Sequence, residues 1–568
     1  MVTLSRRRLL QAGASAGAVA LWPTAVLLDR GSRLQDSYLA GTTLESTITR
    51  ALGHGYRGLR MAAPWGTQLR EELATAHRGR EDRRSGLVTL VQVSDLHITD
   101  VQNPMRFEYI DRITATAHRP QEILGVHGTA ALVQRINSLR GGPATGRAVD
   151  AVMSTGDNTD NQSGNELEWM LTLLAGGVVR PDSGERGAFE GVANSGLPEY
   201  WQPEASEPDR YKDLGFPHVP GLIDAITQPF VTPGLAVPWL LTMGNHDVVA
   251  NGMLENRAYV EEWSGGGRKI FSARGDLPVV LGAQLAAVKA GDDVGALIRD
   301  IASSGTTRTV QADERRLPFT GTDYIRLLHE DRFVGAGPIG HGYRADADAA
   351  TLYYRNELAP MVVALSLDST NQAGGIDGSI GSTQWAWLER QLREAEDSYV
   401  LVFTHHPSHA MANLAPDPRT PTEGRHSGAE LIDLLHRFPN VLAWINGHSH
   451  RNRITPHRAA DPSRSFWEIN SVSHIDAPQQ ARVIEVASNG DGTISLFTTM
   501  IDADSPLDAG HDDLSLPGLA SLYREIGYND PAYRDRKGSS RDRNTELILV
   551  DPLRIGTTAG PPPHRLDR

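Results

Sequence analysis

The stretch Val88-Thr-Leu-Val-Gln-Val-Ser-Asp-Leu-His97 joins a short apolar run to an acidic and an imidazole side chain. An apolar run of this length, rich in β-branched residues and bounded by polar ones, is typical of a buried strand. Polar residues that follow a parallel strand point into the crevice where open α/β sheets bind ligands. The stretch therefore predicts a core strand that delivers Asp95 and His97 to such a crevice.

The same pattern recurs four more times along the chain, which indicates one shared crevice. Each further apolar run is followed within a few residues by a polar motif. The runs and motifs are Val149–Met153 with Gly156-Asp-Asn-Thr-Asp160, Val237–Leu241 with Gly244-Asn-His-Asp247, Tyr399–Phe403 with His405-His-Pro407, and Val441–Ile445 with Gly447-His-Ser-His450.

Between the first two motifs, residues 129–140 show helical spacing, with Leu132, Ile136 and Leu139 on one face. A strand, helix, strand order predicts a βαβ unit with parallel strands. The sequence therefore favours an α/β fold in which the polar motifs meet at the carboxyl ends of the strands.

Composition narrows the classes of function. The chain has 568 residues and a formal net charge of −14, with a pI of about 5.8. Nucleic-acid binding is not expected, because it needs a clustered basic face. There is no cysteine, so any metal must be held by nitrogen and oxygen ligands, which suits Mn, Fe or Zn.

The first 34 residues are expected to be a targeting segment. Ser5-Arg-Arg-Arg-Leu-Leu10 precedes a stretch rich in Ala, Gly and Leu that ends near Leu28. A basic start followed by an apolar stretch is typical of an export signal, and the arginine pair resembles a twin-arginine signal. Export by the twin-arginine machinery is therefore predicted. An uncleaved membrane anchor is the alternative, since residues 9–28 are just long enough to span a bilayer.

Composition shifts divide the rest of the chain. A polar lead-in, a catalytic domain and a polar extension are expected, with two long insertions in the domain that cover the strand ends and shape a pocket. Their limits are 35–86 for the lead-in, 87–505 for the domain, about 162–235 and 255–355 for the insertions, and 506–568 for the extension, where residues 547–550 are expected to form one edge strand.

The five motifs, read as D-x-H, G-D-x-x-D, G-N-H-D, H-x-P and G-H-x-H, resemble those of the calcineurin-like metallophosphoesterases. All five occur in the order of that family, and the resemblance covers roughly residues 87–500. It implies two mixed β-sheets packed face to face and flanked by helices, in four layers. It also implies two divalent metal ions and hydrolysis of a phosphate ester by a hydroxide that bridges them.

The resemblance assigns a role to each motif residue. One metal is expected on Asp95, His97 and His450, and the other on Asn245, His405 and His448. Asp157 is expected to bridge the two metals. His246 is expected beside the phosphoryl group, either stabilising its charge or protonating the leaving oxygen, with Asp160 orienting His246.

Two departures from the motifs of related families narrow the range of expected substrates. Purple acid phosphatases resemble this chain but carry Tyr where Asp160 stands, and protein phosphatases carry Arg where Asn161 stands. His405 is preferred to its neighbour His406 as a ligand, because the family pattern places the ligand two residues before Pro407. His474 is a weaker candidate to face the pocket.

The sequence thus predicts an exported, metal-dependent phosphoesterase with a small-molecule phosphate ester as substrate. A phosphodiester or a nucleotide is slightly favoured. A phosphomonoesterase and a catalytically silent metal-binding scaffold remain alternatives. Membrane contact is expected only through an uncleaved N-terminal segment.

Overall fold

A computed structural model describes residues 38–553, except 112–113, 115–116, 274–278, 280–281, 283–293, 349 and 533. The predicted targeting segment at 1–34 lies outside the described residues. Among the helices that are described, none is long and apolar enough to cross a membrane.

Twenty-one strands lie within the described residues. In chain order they are β1 (Thr47–Arg50), β2 (Leu59–Ala62), β3 (Gln68–Arg70), β4 (Ser85–Val93), β5 (Ala151–Ser154), β6 (Gly177–Val179), β7 (Phe230–Thr232), β8 (Trp239–Leu241), β9 (Arg268–Ser272), β10 (Thr306–Thr309), β11 (Tyr354–Ala359), β12 (Val362–Ser366), β13 (Ile380–Gly381), β14 (Tyr399–Phe403), β15 (Arg425–His426), β16 (Val441–Asn446), β17 (Arg453–His457), β18 (Phe466–Asn470), β19 (Gln480–Ser488), β20 (Thr493–Asp502) and β21 (Thr545–Val550).

Nine α-helices are described within the same ranges. They are α1 (Gly125–Ser138), α2 (Gly164–Ala175), α3 (Leu222–Thr227), α4 (Ala258–Ser264), α5 (Val294–Ser304), α6 (Gly321–Leu328), α7 (Ser382–Glu394), α8 (Gly428–Leu435) and α9 (Leu516–Asn529). The predicted helix at 129–140 is confirmed as part of α1.

Two large mixed sheets form the centre of the fold. One has seven strands in the order β3, β21, β20, β19, β4, β5, β8, and the other has six in the order β11, β12, β14, β16, β18, β17. The five strands that precede the polar motifs are β4, β5, β8, β14 and β16, and each pairs in parallel with its motif-bearing neighbour. Parallel pairing places the carboxyl ends of these strands at one edge of each sheet.

The two sheets pack face to face, as predicted. A single apolar cluster contains Leu90 and Val152 of the seven-stranded sheet together with Leu401, Ile445 and Trp467 of the six-stranded sheet. These side chains are all nearly fully buried. Because successive side chains of a strand point to opposite faces, the same strands also supply an outer face.

Helices cover both outer faces and complete four layers. Val400 and Val402 of β14 point away from the other sheet and pack against Leu388 of α7 and Leu431 of α8. On the other side, α1 connects β4 to β5, and α2 connects β5 towards β8. Ser163 and Glu166 form a reciprocal capping box that fixes the start of α2.

The predicted domain limits need correction, because the seven-stranded sheet extends beyond 87–505. β3 lies inside the expected lead-in, and β21 lies inside the expected C-terminal extension. β21 pairs with β20 on one side and β3 on the other, so it is not the edge strand that the sequence suggested. Residues 68–70 and 545–550 therefore belong to the same sheet as the strands that carry the first three motifs.

The predicted insertion limits also shift. The first insertion was expected from 162, yet α2 at 164–175 is a crossover helix with buried Leu167, Met170 and Leu171. The second was expected to reach 355, yet β11 begins at Tyr354 and pairs with β12. The expected insertions are therefore shorter, because α2 and β11 belong to the helices and strands of the two-sheet fold.

Candidate metal centre

The five polar motifs converge at the common edge of the two sheets, where their side chains form one cluster. Four overlapping groups of imidazole and carboxylate donors lie there, and the donor atoms of each group are within 4.8 Å of one another. The groups are Asp95, His97 and His450; His97, Asp157 and His246; Asp95, Asp157 and His405; and His405, His406 and His448.

Asp157 lies at the middle of this cluster. Its Oδ2 atom is 3.1 Å from Nε2 of His405 and 3.6 Å from Nε2 of His97. Its Oδ1 atom accepts a hydrogen bond of 2.9 Å from the backbone N–H of His246. One carboxylate oxygen therefore faces both predicted ligand sets, which is the position that a bridging ligand must occupy.

The first predicted ligand set combines loops of both sheets. Asp95 and His97 follow β4, and His450 follows β16 of the other sheet. Nε2 of His450 is 3.3 Å from Oδ1 of Asp95 and 3.2 Å from Nε2 of His97. The three donor atoms thus face a common point.

The donor atoms of the second predicted ligand set also face a common point. Oδ1 of Asn245 is 3.0 Å from Nε2 of His405, and Nδ1 of His448 is 3.3 Å from the same Nε2 atom. The Asn245 amide nitrogen donates to the Gly252 carbonyl, which turns Oδ1 towards His405. Nδ1 of His405 lies 2.8 Å from the Thr155 carbonyl, so it donates there and leaves Nε2 for a metal.

His406 is not equivalent to His405. Its Nδ1 atom is 2.8 Å from the Ser369 hydroxyl, and its Nε2 atom is 3.1 Å from the Ile376 carbonyl. Both ring nitrogens therefore have protein partners, although His406 lies beside the donor cluster. This arrangement agrees with the choice of His405 as the ligand.

The backbone at the cluster is unusual. Five of the predicted ligands have left-handed backbone conformations, namely Asp95, His97, Asp157, His448 and His450, with φ between 43° and 66°. Such a conformation costs a non-glycine residue roughly 1–2 kcal/mol, and such residues concentrate at functional sites. The glycines before the motifs have a separate role, since a side chain at Gly244 would collide with the Asp157 carboxylate.

Electrostatics keep two of the imidazole donors and the shared Asp157 carboxylate in forms that suit a cation. Burial and the neighbouring His246 lower the pKa of His97 to about 4, and burial and His405 lower the pKa of His448 to about 3. Burial opposes the ionisation of Asp157, but His405 and His246 hold its pKa well below its usual range. Neutral imidazoles beside an ionised carboxylate are what divalent metals bind.

The pKa values of His405 and His450 are shifted in the opposite direction. Burial disfavours the cation of His405, yet the carboxylates of Asp157 and Asp95 raise its pKa to about 9. A buried anionic pocket that attracts a proton here would attract a divalent cation more strongly. The donor set consists of imidazole nitrogens, carboxylate oxygens and one amide oxygen. It therefore fits two divalent metals of the Mn, Fe or Zn type.

The role predicted for Asp160 needs correction. Its carboxylate lies 2.8 Å from Nδ1 of His97, while His246 donates through Nδ1 to the backbone carbonyl of Asp160 at 2.7 Å. The carboxylate is 3.6 Å from that same nitrogen of His246. The Asp160 side chain thus orients a metal ligand, and its main chain orients His246.

Asp476 is a site residue that the sequence analysis missed. Its Oδ2 atom lies 2.6 Å from Nδ1 of His450, which is the same support that Asp160 gives to His97. The nearby candidate His474 belongs to none of the four donor groups, and its Nδ1 lies 3.3 Å from the Gln479 carbonyl. No motif spacing distinguishes Asp476 from other acidic residues.

His246 and His448 are the most accessible members of the cluster. The His246 side chain is 22% exposed, whereas those of Asp157 and His405 are at most 2% exposed. His246 therefore lies on the solvent side of the buried donors.

Comparison with known proteins gives partial matches. No protein-family model matches the chain. A probable cyclic nucleotide phosphodiesterase of Synechococcus sp. (strain WH7803) is 40% identical over 86 residues, which are 15% of this chain and 31% of that protein. The glycerophosphodiester phosphodiesterase GpdQ of Enterobacter lignolyticus (strain SCF1) is 35% identical over 138 residues, or 24% of this chain and 43% of that protein. The chain thus spans less than half the length of these relatives.

Two solved structures align over more of the chain. A dimetal phosphatase from Danio rerio covers 74% of this chain and 100% of its own, at 13% identity and a TM-score of 0.31. The sulfate thiohydrolase SoxB of Thermus thermophilus covers 78% of this chain and 60% of its own, at 13% identity and a TM-score of 0.27. Structural likeness at these scores is too low to show a shared fold. The five motifs and the two facing sheets agree with the resemblance to the calcineurin-like metallophosphoesterases, and the curated proteins that match parts of the chain are named phosphodiesterases.

Proposed function

We propose that this protein is an exported, dinuclear metal-dependent phosphoesterase that prefers a phosphodiester to a phosphomonoester. The observation that carries the proposal is the position of Asp157, whose Oδ2 atom faces both His97 and His405. A single carboxylate oxygen shared by two donor sets is the requirement of a two-metal site.

The ligands divide into two sets around Asp157. Asp95, His97 and His450 would hold one metal, and Asn245, His405 and His448 would hold the other. When bound, a metal pair of this kind provides a hydroxide nucleophile at neutral pH and neutralises the phosphoryl oxygens. The remaining tasks of orientation and proton transfer fall to the side chains of the protein.

His246 is the residue best placed to act on the substrate. A backbone carbonyl can only accept a hydrogen bond, so Nδ1 of His246 carries the proton that the Asp160 carbonyl binds. Nε2 is then an acceptor in the neutral imidazole. When protonated, Nε2 can donate a hydrogen bond to a phosphoryl oxygen or give a proton to the departing oxygen. The backbone N–H of His246 bonds Asp157, which fixes the imidazole beside the metal centre.

The preference for a diester rests on the charges around the site. Arg106 and Arg119 lie close to the metal ligands, but both are buried and bonded to carboxylates, so neither is available to bind the second charge of a monoester. Asn161, which stands where protein phosphatases carry Arg, is also buried, and its amide bonds Glu166. The names of the two curated relatives agree with a diester substrate.

The substrate proposal is tested with two model esters. Protein comprising residues 35–568 is loaded with Mn²⁺, and its hydrolysis of bis(p-nitrophenyl) phosphate is compared with that of p-nitrophenyl phosphate. A higher kcat/KM for the diester, lost in Asp157→Asn, is expected. A higher kcat/KM for the monoester would favour the phosphomonoesterase alternative. Protein that binds two metals and hydrolyses neither ester would favour a silent scaffold.

Export is supported by the N-terminal sequence alone. Arg6 and Arg7 precede the apolar stretch in the order that a twin-arginine signal requires. Replacing both arginines by lysine is expected to retain the full-length chain in the cytoplasm. Cell fractionation of the wild type and the double variant tests this, and equal extracytoplasmic amounts would contradict the proposed route.

A further inference from the structure

Beneath the first ligand set, seven side chains form a closed ring of contacts. His97 bonds Asp160 at 2.8 Å, and His450 bonds Asp476 at 2.6 Å. The ring is closed at its top by the two Nε2 atoms, which are 3.2 Å apart. Its lower half consists of Arg106, Glu122 and Arg119, which connect one supporting carboxylate to the other.

Glu122 is the centre of that lower half. Its Oε2 atom accepts from Nη2 of Arg106 at 2.5 Å, and its Oε1 atom accepts from Nη1 of Arg119 at 3.0 Å. Arg106 then bonds Asp160 at 2.5 Å, and Arg119 bonds Asp476 at 2.9 Å. Each oxygen of the Glu122 carboxylate thus binds one arginine, and each arginine binds a carboxylate that supports a predicted metal ligand. We call each of these two chains of contacts an arm.

The ring is buried throughout. Glu122 is 2% exposed, Arg106 is 3% exposed and Arg119 is 4% exposed. Breaking a buried charge pair by removing one partner leaves an uncompensated charge, which is strongly destabilising. The side chains of the ring are therefore held in one arrangement, and a change at Glu122 is transmitted to both histidines.

The two arms reach loops of different sheets. His97 follows β4 of the seven-stranded sheet, and His450 follows β16 of the six-stranded sheet. Arg106, Arg119 and Glu122 belong to the segment between the first motif and α1, outside all five motifs. This segment thus connects two loops that the sheets themselves position independently.

We propose that Glu122 is a positioning residue that sets the separation of His97 and His450, and with it the affinity of the metal position formed by Asp95, His97 and His450. This inference rests on the dinuclear centre of the proposed function. The other position, on Asn245, His405 and His448, has no member in the ring and is expected to be unaffected.

Glu122→Gln is the direct test. The glutamine oxygen can accept from one arginine, but its NH₂ group then faces the N–H donors of the other, so one arm is broken while the side-chain volume is kept. Loss of such an outer-shell partner typically weakens metal binding about 10–100-fold. Mn²⁺ binding isotherms are expected to show that loss at one of the two positions only.

Electron paramagnetic resonance gives a second readout that is independent of activity. Wild-type protein with two Mn²⁺ ions is expected to show the spectrum of an exchange-coupled pair. At the same free Mn²⁺ concentration, Glu122→Gln is expected to show the spectrum of an isolated Mn²⁺ ion. His450→Ala, which removes a ligand of the same position, provides the reference spectrum.

Glu485→Gln is the matched control. Glu485 is also a buried glutamate, but it accepts hydrogen bonds from Ala144 and Thr145 and from no member of the ring. This variant is expected to keep both Mn²⁺ affinities. If Glu122→Gln does not fold, Glu122→Asp takes its place, because aspartate keeps the charge but is one methylene too short to reach both arginines.

The outcomes separate this inference from the proposed function. Selective loss of one Mn²⁺ position in the Glu122 variant supports the inference. A folded variant with both wild-type affinities overturns it, and so does an equal loss at both positions. Wild-type protein that binds no Mn²⁺ overturns the proposed dinuclear centre, and the inference with it. Wild-type binding of two ions without ester hydrolysis contradicts only the proposed activity.

Discussion

The Asp160 carboxylate bonds Nδ1 of His97 at 2.8 Å, and Arg106 holds the other oxygen of the same carboxylate. The Asp160 side chain therefore supports a metal ligand, although the family resemblance suggested that it supports His246. His246 is instead fixed by a backbone carbonyl, which no side-chain substitution removes. The two arrangements make different predictions for one variant.

Asp160→Asn is expected to weaken metal binding about 10–100-fold, because the amide cannot accept from both His97 and Arg106. At saturating Mn²⁺ the kcat of the variant is expected to stay close to that of the wild type, since the carbonyl that holds His246 is unchanged. Kinetics measured over a range of Mn²⁺ concentrations separate these effects. A low kcat at saturating Mn²⁺ with unchanged Mn²⁺ affinity would restore the role first inferred for Asp160.

His246→Asn is expected to lower kcat about 10²–10⁴-fold, the range for loss of a general acid or base. Its metal content is expected to equal that of the wild type, because none of the seven predicted ligands changes. Metal analysis and diester kinetics on the same preparations check both parts. His409→Asn, which alters an exposed histidine near the H-x-P motif, serves as the control. Loss of metal from His246→Asn would show that His246 is itself a ligand.

Removal of residues 539–568 is expected to abolish cooperative unfolding. β21 lies between β20 and β3, and its Leu547, Ile548 and Leu549 are almost fully buried. Burying each such side chain contributes about 1.5–3 kcal/mol, against a typical total stability of about 5–15 kcal/mol. A chain that ends at Leu553 retains β21 and is the control in thermal unfolding. Equal unfolding midpoints for the two chains would show that β21 is dispensable.

The buried His127 predicts acid sensitivity. Burial lowers its pKa to about 3, whereas an unfolded chain gives histidine a pKa of about 6.5. The unfolded state therefore takes up a proton first as the pH falls below 6.5, and the free energy of unfolding decreases by about 1.4 kcal/mol per pH unit from this residue. The folded state keeps the full stability associated with a neutral His127 above pH 6.5, and it loses that stability as the pH falls towards 3.

His127→Leu removes the titrating group, and urea unfolding at pH 7 and pH 5 measures the effect. The variant is expected to lose less stability than the wild type between the two pH values. His54→Gln, at an exposed position, is expected to match the wild type. Equal losses for His127→Leu and the wild type would contradict a neutral, buried imidazole.

The strands before the motifs could be predicted because their sequences are almost purely apolar. Val88–Val93 and Tyr399–Phe403 are buried on both faces, and only Thr89 and Gln92 interrupt the apolar residues of the first run. β3 could not be recognised in the same way, because Gln68–Arg70 is short and mostly exposed. β21 was predicted as a strand at residues 547–550, but its place between β20 and β3 was not. That place depends on pairing with distant segments of the chain.

The candidate site could also be predicted only in part from the sequence. The metal-donor residues occur in short motifs, so local sequence together with the family resemblance identified them. Their supports, including Asp476 and Glu122, are distant in sequence and are ordinary acidic residues until the fold brings them to the histidines. His474 illustrates the reverse, since a histidine close to the motifs in sequence belongs to none of the four donor groups.

Titration of metal-free protein with Mn²⁺, followed by diester hydrolysis at each step, tests the dinuclear mechanism most directly. Turnover of bis(p-nitrophenyl) phosphate is expected to rise until two Mn²⁺ ions are bound per chain and to be absent in Asp157→Asn, whose amide cannot serve both donor sets. Turnover that is complete at one ion, or that persists in Asp157→Asn, would contradict a phosphoesterase built on a shared Asp157.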